Sequence, residues 1–535
     1  MASDSVPSPI PFIETSRANY TNRLANLACG DVLIVNLPNR FGKTVTALKY
    51  YETQPVKVLY LSDRHEQMNE IIGGDNFRHW YGLKKICEKK DEPFIGALIG
   101  KGFHANIICR NFCNTQCSYK NQFQVPEEGI VVAPKEYLPT TYVQNNHWDV
   151  VILDENIEKA KKIQYTHPNI PLGALEDYRV NVEFYKDIGR IIEGDIYPDD
   201  LAELQRRKTN AGNISGIIKM IRLRGDGFRP TRAELDILNY LNNLDGTIEW
   251  IQYYQRYGRF NHFYKPFLHY AHDLRCNFNC KLILLNTSYD EWIYNQLMSR
   301  YEGRIVEPQN YNQLINNKKS ILLHYNSKNR SLAKDTITQR DGTKLGKLVG
   351  KEINQMLKNS ISFSYNRSLK VGIITYKSLT EDITNQFEDK TYEISYFGGH
   401  QGSNKFEDVD VLIIVGTFHL NPSGLYKKHY VINNEYLADD HAVYGGRNNK
   451  IINGMQINLT DNDRLNKVKL YKLNEEHQQA IFRSGAHVKP GKLVISFGYV
   501  PQGIEDILTY KTFNNKNQLN AYLNVNRDNI GTFNT

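Results

Sequence analysis

The chain has 535 residues, a formal net charge of +8 and a hydrophobic fraction of 41%. This length exceeds what one hydrophobic core serves, so about two to four domains are expected. The mild positive charge favours a polyanionic partner over an acidic one. No apolar run approaches the roughly 20 residues that span a bilayer, and the amino terminus lacks the pattern of a secretory signal. A cytoplasmic or nucleoid-associated location is therefore expected, with no secretion and no membrane partner.

The first part of the chain alternates apolar strand patterns with helical ones. The predicted buried strands are 32–35, 57–63, 129–138 and 148–155. Such alternation predicts a mostly parallel sheet whose ligand sites lie at the carboxyl ends of its strands.

A phosphate-binding loop is predicted directly after the first strand. The loop pattern is G-x-x-x-x-G-K-S/T; Leu37 stands where its first glycine belongs, but Gly42, Lys43 and Thr44 match. In a strand–loop–helix context, loop amides and the helix amino terminus hold phosphate. Lys43 is predicted to reach the outer phosphates of ATP and Thr44 to ligate magnesium. A chance Gly-Lys-Thr in an ordinary turn is the alternative.

The fourth predicted strand ends at Asp154 and Glu155. Asp154 is predicted to hold magnesium and Glu155 to orient the attacking water, which is the other half of phosphoryl-transfer chemistry. Each signal alone is weak. The occurrence of both in one αβ domain favours the ATP-binding interpretation.

Four of the seven cysteines, Cys87, Cys109, Cys113 and Cys117, lie between the loop and Asp154. Disulfides are not expected in a cytosolic chain, and such a cysteine group points to a metal. Zinc and an iron–sulfur cluster suit four thiolates equally, although the irregular spacing is unlike a zinc ribbon. Buried, unliganded cysteines are the alternative.

The range 156–275 changes character, and its apolar spacing predicts an inserted helical domain. Within its aromatic and basic run at 250–275, the segment YYQRYGRFNHFYK has the composition that stacks bases and neutralises phosphates on single strands. An amphipathic helix with a solvated basic face is the alternative. A second αβ unit is predicted over 319–510, followed by a polar, poorly packed tail at 511–535.

The order of these motifs resembles superfamily 2 helicases, whose two RecA-like domains clamp ATP between them. The segment LPNRFGKT is similar to the family's A-P-T-G-S-G-K-T loop, and the matching residues are Pro38, Gly42, Lys43 and Thr44. Arg40 and Phe41 replace the family's Gly-Ser pair. The resemblance assigns ATP binding to the matching residues.

Two further motifs of that family have counterparts. DENI, beginning at Asp154, stands where D-E-A-H is usual. QAIFR resembles Q-x-x-G-R, with Phe482 in place of its glycine, while Ala486 lies where a second arginine would fall. The catalytic residues that the resemblance implies are Lys43, Asp154, Glu155, Gln479 and Arg483.

The resemblance also implies contacts with a nucleic-acid strand. YLSDRHEQ is similar to the segment that touches the strand backbone, with Arg64 in the basic position. LNTS, which includes Ser288, stands where S-A-T is usual. GSNKFEDVDVLIIVG, which includes Asn404, is similar to the motif that couples ATP to strand contacts.

The segment GKGFHANIIC resembles part of the XPD/DinG-type iron–sulfur DNA helicases. In those enzymes a cluster domain interrupts the first motor domain between the same two motifs, and a helical arch precedes S-A-T. The resemblance implies a 4Fe–4S cluster on the four cysteines, with zinc as the alternative, and it favours DNA over RNA. The cysteine spacing differs from that family's, with one cysteine ahead of the segment instead of three after it.

The strand and helix patterns predict an α/β protein, and the resemblance implies two RecA-like P-loop motor domains, the first carrying a cysteine-cluster insertion and a helical, arch-like insertion. The predicted bounds are 1–80, 120–155 and 276–300 for the first motor domain, 81–119 for the cysteine module, 156–275 for the helical insertion, 319–510 for the second motor domain and 511–535 for the tail. The predicted function is an ATP- and Mg²⁺-dependent DNA helicase or translocase with the metal module at its strand-separating edge. Single-stranded and forked DNA and replication or repair proteins are the expected partners.

A nucleic-acid-binding replication or defence factor that uses ATP as a conformational switch, without unwinding, is the alternative function. Weak hydrolysis without strand displacement would favour it. A small-molecule P-loop kinase is a third hypothesis, and the second αβ unit with QAIFR argues against it.

Overall fold

Long apolar runs of the sequence form the strands of two parallel sheets in the computed structural model. The structure describes residues 9–37, 41–62, 76–100, 105, 108–109, 116–138, 140–154, 162–165, 176–177, 231–243, 247–252, 255–257, 262–264, 267–271, 280–286, 290–298, 304–306, 317–326, 349–351, 353–355, 370–386, 392–400, 405–420, 422–433, 449–452 and 455–525. In chain order the strands are β1 (Asp31–Asn36), β2 (Lys57–Ser62), β3 (Phe77–His79), β4 (Gly129–Pro134), β5 (Val150–Asp154), β6 (Lys162–Tyr165), β7 (Thr247–Gln252), β8 (Gln255–Tyr257), β9 (His262–Tyr264), β10 (Phe267–Ala271), β11 (Lys281–Asn286), β12 (Arg304–Val306), β13 (Asn317–Tyr325), β14 (Val371–Thr375), β15 (Tyr392–Tyr396), β16 (Val411–Ile414), β17 (Asn449–Ile452), β18 (Met455–Asn458), β19 (Leu493–Ser496) and β20 (Leu508–Phe513).

Helices cover the sheets and connect their strands. The α-helices are α1 (Pro9–Ala25), α2 (Lys43–Glu52), α3 (Leu83–Ile86), α4 (Pro93–Gly100), α5 (Ser118–Asn121), α6 (Thr141–Gln144), α7 (Arg232–Asn243), α8 (Glu291–Met298), α9 (Thr380–Thr384), α10 (Pro422–Asn433), α11 (Asp463–Phe482), α12 (Ile504–Ile507) and α13 (Lys516–Val525). No helix in the described parts of the chain is long and apolar enough to cross a membrane.

The first sheet has seven strands in the order β12-β1-β11-β5-β2-β4-β3, each parallel to its neighbours. Successive side chains of a strand point to opposite faces, so β1 buries Leu33 and Val35 in one apolar cluster and Val32 and Ile34 in another. Helices α1 and α2 cover the first of these faces. Burial on both faces explains why these strands are continuous apolar runs.

The second sheet has six strands in the order β15-β14-β16-β19-β13-β20, again all parallel. The prediction of two α/β domains, each with a parallel sheet, is confirmed by these two sheets and their flanking helices. The first sheet extends slightly past its predicted end at residue 300, because Arg304–Val306 pairs with β1.

The prediction of a poorly packed polar tail at 511–535 is wrong for its first part. Strand β20 runs to Phe513 at the edge of the second sheet, and α13 follows it. Leu519 and Leu523, on one side of α13, are buried in the core of the second domain. Two apolar side chains four residues apart are enough to bury one helix face, although the segment as a whole is rich in asparagine.

The described part of the predicted helical insertion, 156–275, contains strands as well as a helix. Helix α7 is present, but β6, β10 and β7 form an antiparallel sheet, and β8 pairs with β9. The aromatic and basic run at 250–275 supplies the end of β7 and all of β8, β9 and β10, and its segment YYQRYGRFNHFYK, for which an amphipathic helix was the alternative, contains β8 and β9. Aromatic residues fit a pleated strand surface well, and this preference competes with the helical spacing.

Helix α11 belongs to the second domain but packs along the first. Its amino-terminal half buries Leu465 and Val468 in the same cluster as Trp148 and Tyr294 of the first domain. The Lys467 Nζ lies 4.8 Å from the ring centre of Trp292, also in the first domain. A 20-residue helix is about 30 Å long, so α11 can reach from this cluster to the loop between β1 and α2.

Replacing Leu465 by alanine should lower the free energy of unfolding by about 2–5 kcal/mol, because it leaves a cavity between the domains. Urea unfolding followed by tryptophan fluorescence measures the change. Val525→Ala, at a side chain that is 83% exposed, is the control and should change stability by less than about 0.5 kcal/mol. If Leu465→Ala changed the free energy of unfolding as little as Val525→Ala does, Leu465 would not be packed in the interface.

Candidate functional site

The site lies where β1, β11 and β5 end at one edge of the first sheet. The parallel register places Asn36 beside Asn286 and Leu285 beside Asp154. Thus the loop after β1 and the carboxylate that ends β5 face the same edge, which is where ligands bind in open α/β sheets.

The loop between β1 and α2 requires glycine at its last position. Gly42 has φ +72° and precedes Lys43, the first residue of the helix. A side chain there would also meet the Arg17 guanidinium, since an added Cβ would lie 3.1 Å from Nη2. Residues 38–40 lie outside the described residues, and Pro38 is among them.

Lys43 is only 7% exposed, and its Nζ donates a hydrogen bond to the Leu37 carbonyl at 2.5 Å. Its ammonium group is therefore held over the loop that leads into α2. Because the helix amino terminus is also positive, this point of the chain favours an anion.

Thr44 and Asp154 are 110 residues apart in sequence and in contact in the structure. The Thr44 hydroxyl donates to Asp154 Oδ2 at 2.9 Å. A hydroxyl beside a carboxylate at the end of a neighbouring strand is an oxygen donor set suited to magnesium. Glu155 lies outside the described residues.

Tyr60 is a site residue that sequence reasoning missed. From strand β2, its hydroxyl donates to the same Oδ2 of Asp154, and its side chain is fully buried. The available signal was a tyrosine in an otherwise aliphatic strand, because a buried phenol needs a polar partner.

Helix α1 is a second component that the sequence did not predict. Tyr20 of α1 is buried, and this burial raises the pKa of its phenol well above the usual value, with Tyr51 and Asp154 adding to the effect. The Arg17 Nε of the same helix donates to the Phe41 carbonyl at 3.3 Å. Helix α1 therefore contacts the loop that precedes α2.

The second domain contributes the end of α11 and the turn after it. Gln479 is completely buried and Arg483 is 7% exposed. The ring of His487, in the turn that begins at Arg483, stacks on Phe41 of the loop before α2 with ring centres 6.2 Å apart. The structure therefore brings the segment that resembles Q-x-x-G-R to the loop that resembles the ATP site.

The residues predicted to touch nucleic acid, Arg64, Ser288 and Asn404, lie outside the described residues. Asn286, two residues before Ser288, donates from Nδ2 to the Tyr471 hydroxyl of α11 at 3.4 Å. The end of β11 is thus in contact with the second domain.

The cysteines do not assemble into a metal centre among the described residues. Cys87 is buried and Cys109 and Cys117 are half-buried, none of the three in a disulfide, while Cys113 lies outside the described residues. The described residues contain no group of three or more potential ligands. Instead, Cys109 lies near Tyr142, whose pKa is raised by burial and then by this thiol.

Comparisons with known proteins give weak structural similarities only. No family model and no curated protein matches the chain. A solved structure described as an XPD helicase is 11% identical with a TM-score of 0.49, covering 95% of this chain and 100% of its own. S. cerevisiae Dbp5 bound to RNA and ADP BeF3 is 7% identical with a TM-score of 0.38, covering 97% of each chain. A DEAD box protein from Methanococcus jannaschii is 11% identical with a TM-score of 0.25, covering 95% of this chain and 97% of its own.

Replacing Tyr60 by phenylalanine should lower the free energy of unfolding by about 1.5–3 kcal/mol, because a buried carboxylate loses a hydrogen-bond donor. Urea unfolding at neutral pH provides the measurement. Tyr50→Phe, at a half-buried tyrosine of α2, is the control and should leave stability nearly unchanged. A loss for Tyr50→Phe as large as that for Tyr60→Phe would contradict the assigned contact.

Proposed function

We propose that this chain is an ATP-dependent translocase of single-stranded DNA that separates duplex ahead of it. The observation that carries the proposal is the Thr44–Asp154 hydrogen bond of 2.9 Å. It lies just after the loop between β1 and α2, which the second domain contacts through His487. Such a site is completed by two domains, so its chemistry can depend on their relative position.

The residues present fit a magnesium-bound nucleotide. Gly42, in the left-handed conformation, turns the chain into α2, and Lys43 supplies a buried cation. Asn36 Oδ1 is buried and has no hydrogen-bond partner among the described residues, so it can accept from a ligand or a bound water. ATP, when bound, supplies the phosphoanhydride bond whose hydrolysis drives the cycle.

Each residue then has a separate role. Lys43 neutralises the outer phosphates, while Thr44 and Asp154 hold the metal. Glu155 follows Asp154 directly and would orient the attacking water as a general base. Gln479 and Arg483 act from the second domain, where the planar guanidinium can meet the oxygens on which charge develops.

Closure of the cleft would couple these groups to a DNA strand. Arg64, Ser288 and Asn404 are the proposed strand contacts, and the net charge of +8 favours a polyanion. The choice of DNA over RNA comes from the resemblance to the iron–sulfur DNA helicases. The described cysteines do not fit a cluster, so no step of the proposal uses one.

A conformational switch without unwinding is the second candidate. The apolar contacts of Leu465 and Val468 with the first domain favour it, because they limit how far the domains can separate. A strand-displacement assay on forked DNA distinguishes the two, since only the translocase separates strands in proportion to the ATP hydrolysed.

Replacing Lys43 by alanine should reduce ATP hydrolysis at least about 100-fold, because an electrostatic contact with the transferring phosphate is removed. The fold should be retained, as judged by circular dichroism. Lys49→Ala is the matched control, since Lys49 is exposed on the same helix. Turnover by Lys43→Ala within a few fold of the wild type would refute the assigned ATP site.

Replacing Arg483 by alanine should leave ATP binding nearly normal but lower the DNA-stimulated rate of ATP turnover about 10³-fold. The reason is that Arg483 acts across the cleft, and Ala486 offers no second cation in its motif. ATP hydrolysis with and without single-stranded DNA measures the effect. Arg464→Ala, at an exposed arginine of the same helix, is the control. Unchanged stimulation in Arg483→Ala would show that this arginine does not face the nucleotide.

A further inference from the structure

Two departures from the helicase motifs meet in the structure. Phe41 stands where the resembling loop has serine, and Phe482 stands where Q-x-x-G-R has glycine. The ring of His487 lies against both of them: its centre is 6.2 Å from that of Phe41 and 4.3 Å from that of Phe482. The two unusual residues therefore belong to one arrangement of three rings.

The three rings are buried and span the two domains. Phe41 is 2% exposed, Phe482 1% and His487 0%. Phe41 and His487 stack with an interplanar angle of 20°. Phe41 belongs to the phosphate loop, whereas His487 and Phe482 belong to the end of α11 and its following turn. No such contact is possible with serine and glycine at these positions.

The phosphate loop is thus held at Phe41 from two sides. Arg17 of α1 donates to the Phe41 carbonyl at 3.3 Å, while His487 packs on the ring. Lys43 and Thr44 follow Phe41 by two and three residues. A shift of the Phe41 ring would therefore move the residues that face the nucleotide.

We infer that Phe41, His487 and Phe482 form an interdomain clasp, which positions the phosphate loop against the second domain before any nucleic acid binds. This inference rests on the proposed function, and its residues are positioning residues that do not touch the reacting atoms. The clasp holds the cleft closed. Without DNA, the protein therefore hydrolyses ATP faster than it would if Phe41, His487 and Phe482 were not in contact.

The size of the effect follows from aromatic contacts. Besides the effect of burying apolar area, an aromatic pair favours the packed arrangement. It raises the equilibrium constant between the packed and the separated arrangement by about threefold to tenfold. Loss of the clasp should lower basal turnover by about the same factor. Saturating single-stranded DNA closes the cleft independently, so the ratio of stimulated to basal turnover should rise correspondingly.

The experiment compares the full-length protein with Phe41→Ser, His487→Ala and the double variant. Each single variant should lose about threefold to tenfold of its DNA-free ATP turnover. The double variant should lose no more than either single one, because residues in contact are not additive. His487→Phe keeps a ring and should stay close to the wild type.

A second readout does not depend on activity. Amide hydrogen exchange in 43–52, measured without nucleotide, should accelerate about threefold to tenfold in His487→Ala, although the substitution lies in the other domain. Phe513→Ser is the control, because Phe513 packs on Tyr522 inside the second domain with ring centres 5.3 Å apart. It should leave exchange in 43–52 and the stimulation ratio unchanged.

Several outcomes would overturn the clasp. They are wild-type exchange in His487→Ala, additive losses in the double variant, or a basal turnover that rises in Phe41→Ser. If these appear while Lys43→Ala still abolishes hydrolysis, the clasp is wrong and the proposed ATPase stands. If Lys43→Ala retains hydrolysis, the proposed function fails, and the exchange measurement alone decides the contact.

Discussion

Helix α11 of the second domain contributes side chains to two apolar clusters that also contain strands of the first domain. Leu465 and Val468 occupy one cluster, and Ala480 and Phe482 occupy the other. Because α11 packs on β16 and leads into β19, its position fixes the second sheet relative to the first. The composite site depends on this helix, since the buried Gln479 and Arg483 lie at its carboxyl end. Separation of the domains would expose the apolar side of α11 to water, which opposes wide opening.

The polar contacts at the edge of the first sheet form around one carboxylate. Asp154 accepts from Thr44 and from Tyr60, so three elements of the first domain converge on a single oxygen. A buried carboxylate without such donors would be costly, and the donors also fix its orientation. The same contacts place α2 and β2 relative to β5. Stability of the sheet edge and geometry of the candidate site therefore have the same physical cause.

The contact between the two domains explains why Phe41 and Phe482 stand where the helicase motifs have serine and glycine. Phe41 and Phe482 weaken the resemblance when each is considered in its own motif, yet both rings pack on His487. Phe41 is 2% exposed in the loop before α2, and His487 of the second domain covers its ring. The interface thus permits a loop sequence that a freely opening cleft would expose to water.

The sequence by itself determined the two parallel sheets, because long apolar runs alternating with helices have few other ways to be buried. It also placed Thr44 after one predicted strand and Asp154 at the end of another, at the edge of the sheet where the structure brings them into contact. Tertiary structure alone decided the roles of Tyr60, Tyr20 and His487, which carry no motif and act through contacts between distant segments. It also decided that Leu519 and Leu523 pack in the core and that the aromatic run near 250–271 forms strands. Local composition could not decide these points, because burial of a short segment depends on the surface that the rest of the chain presents to it.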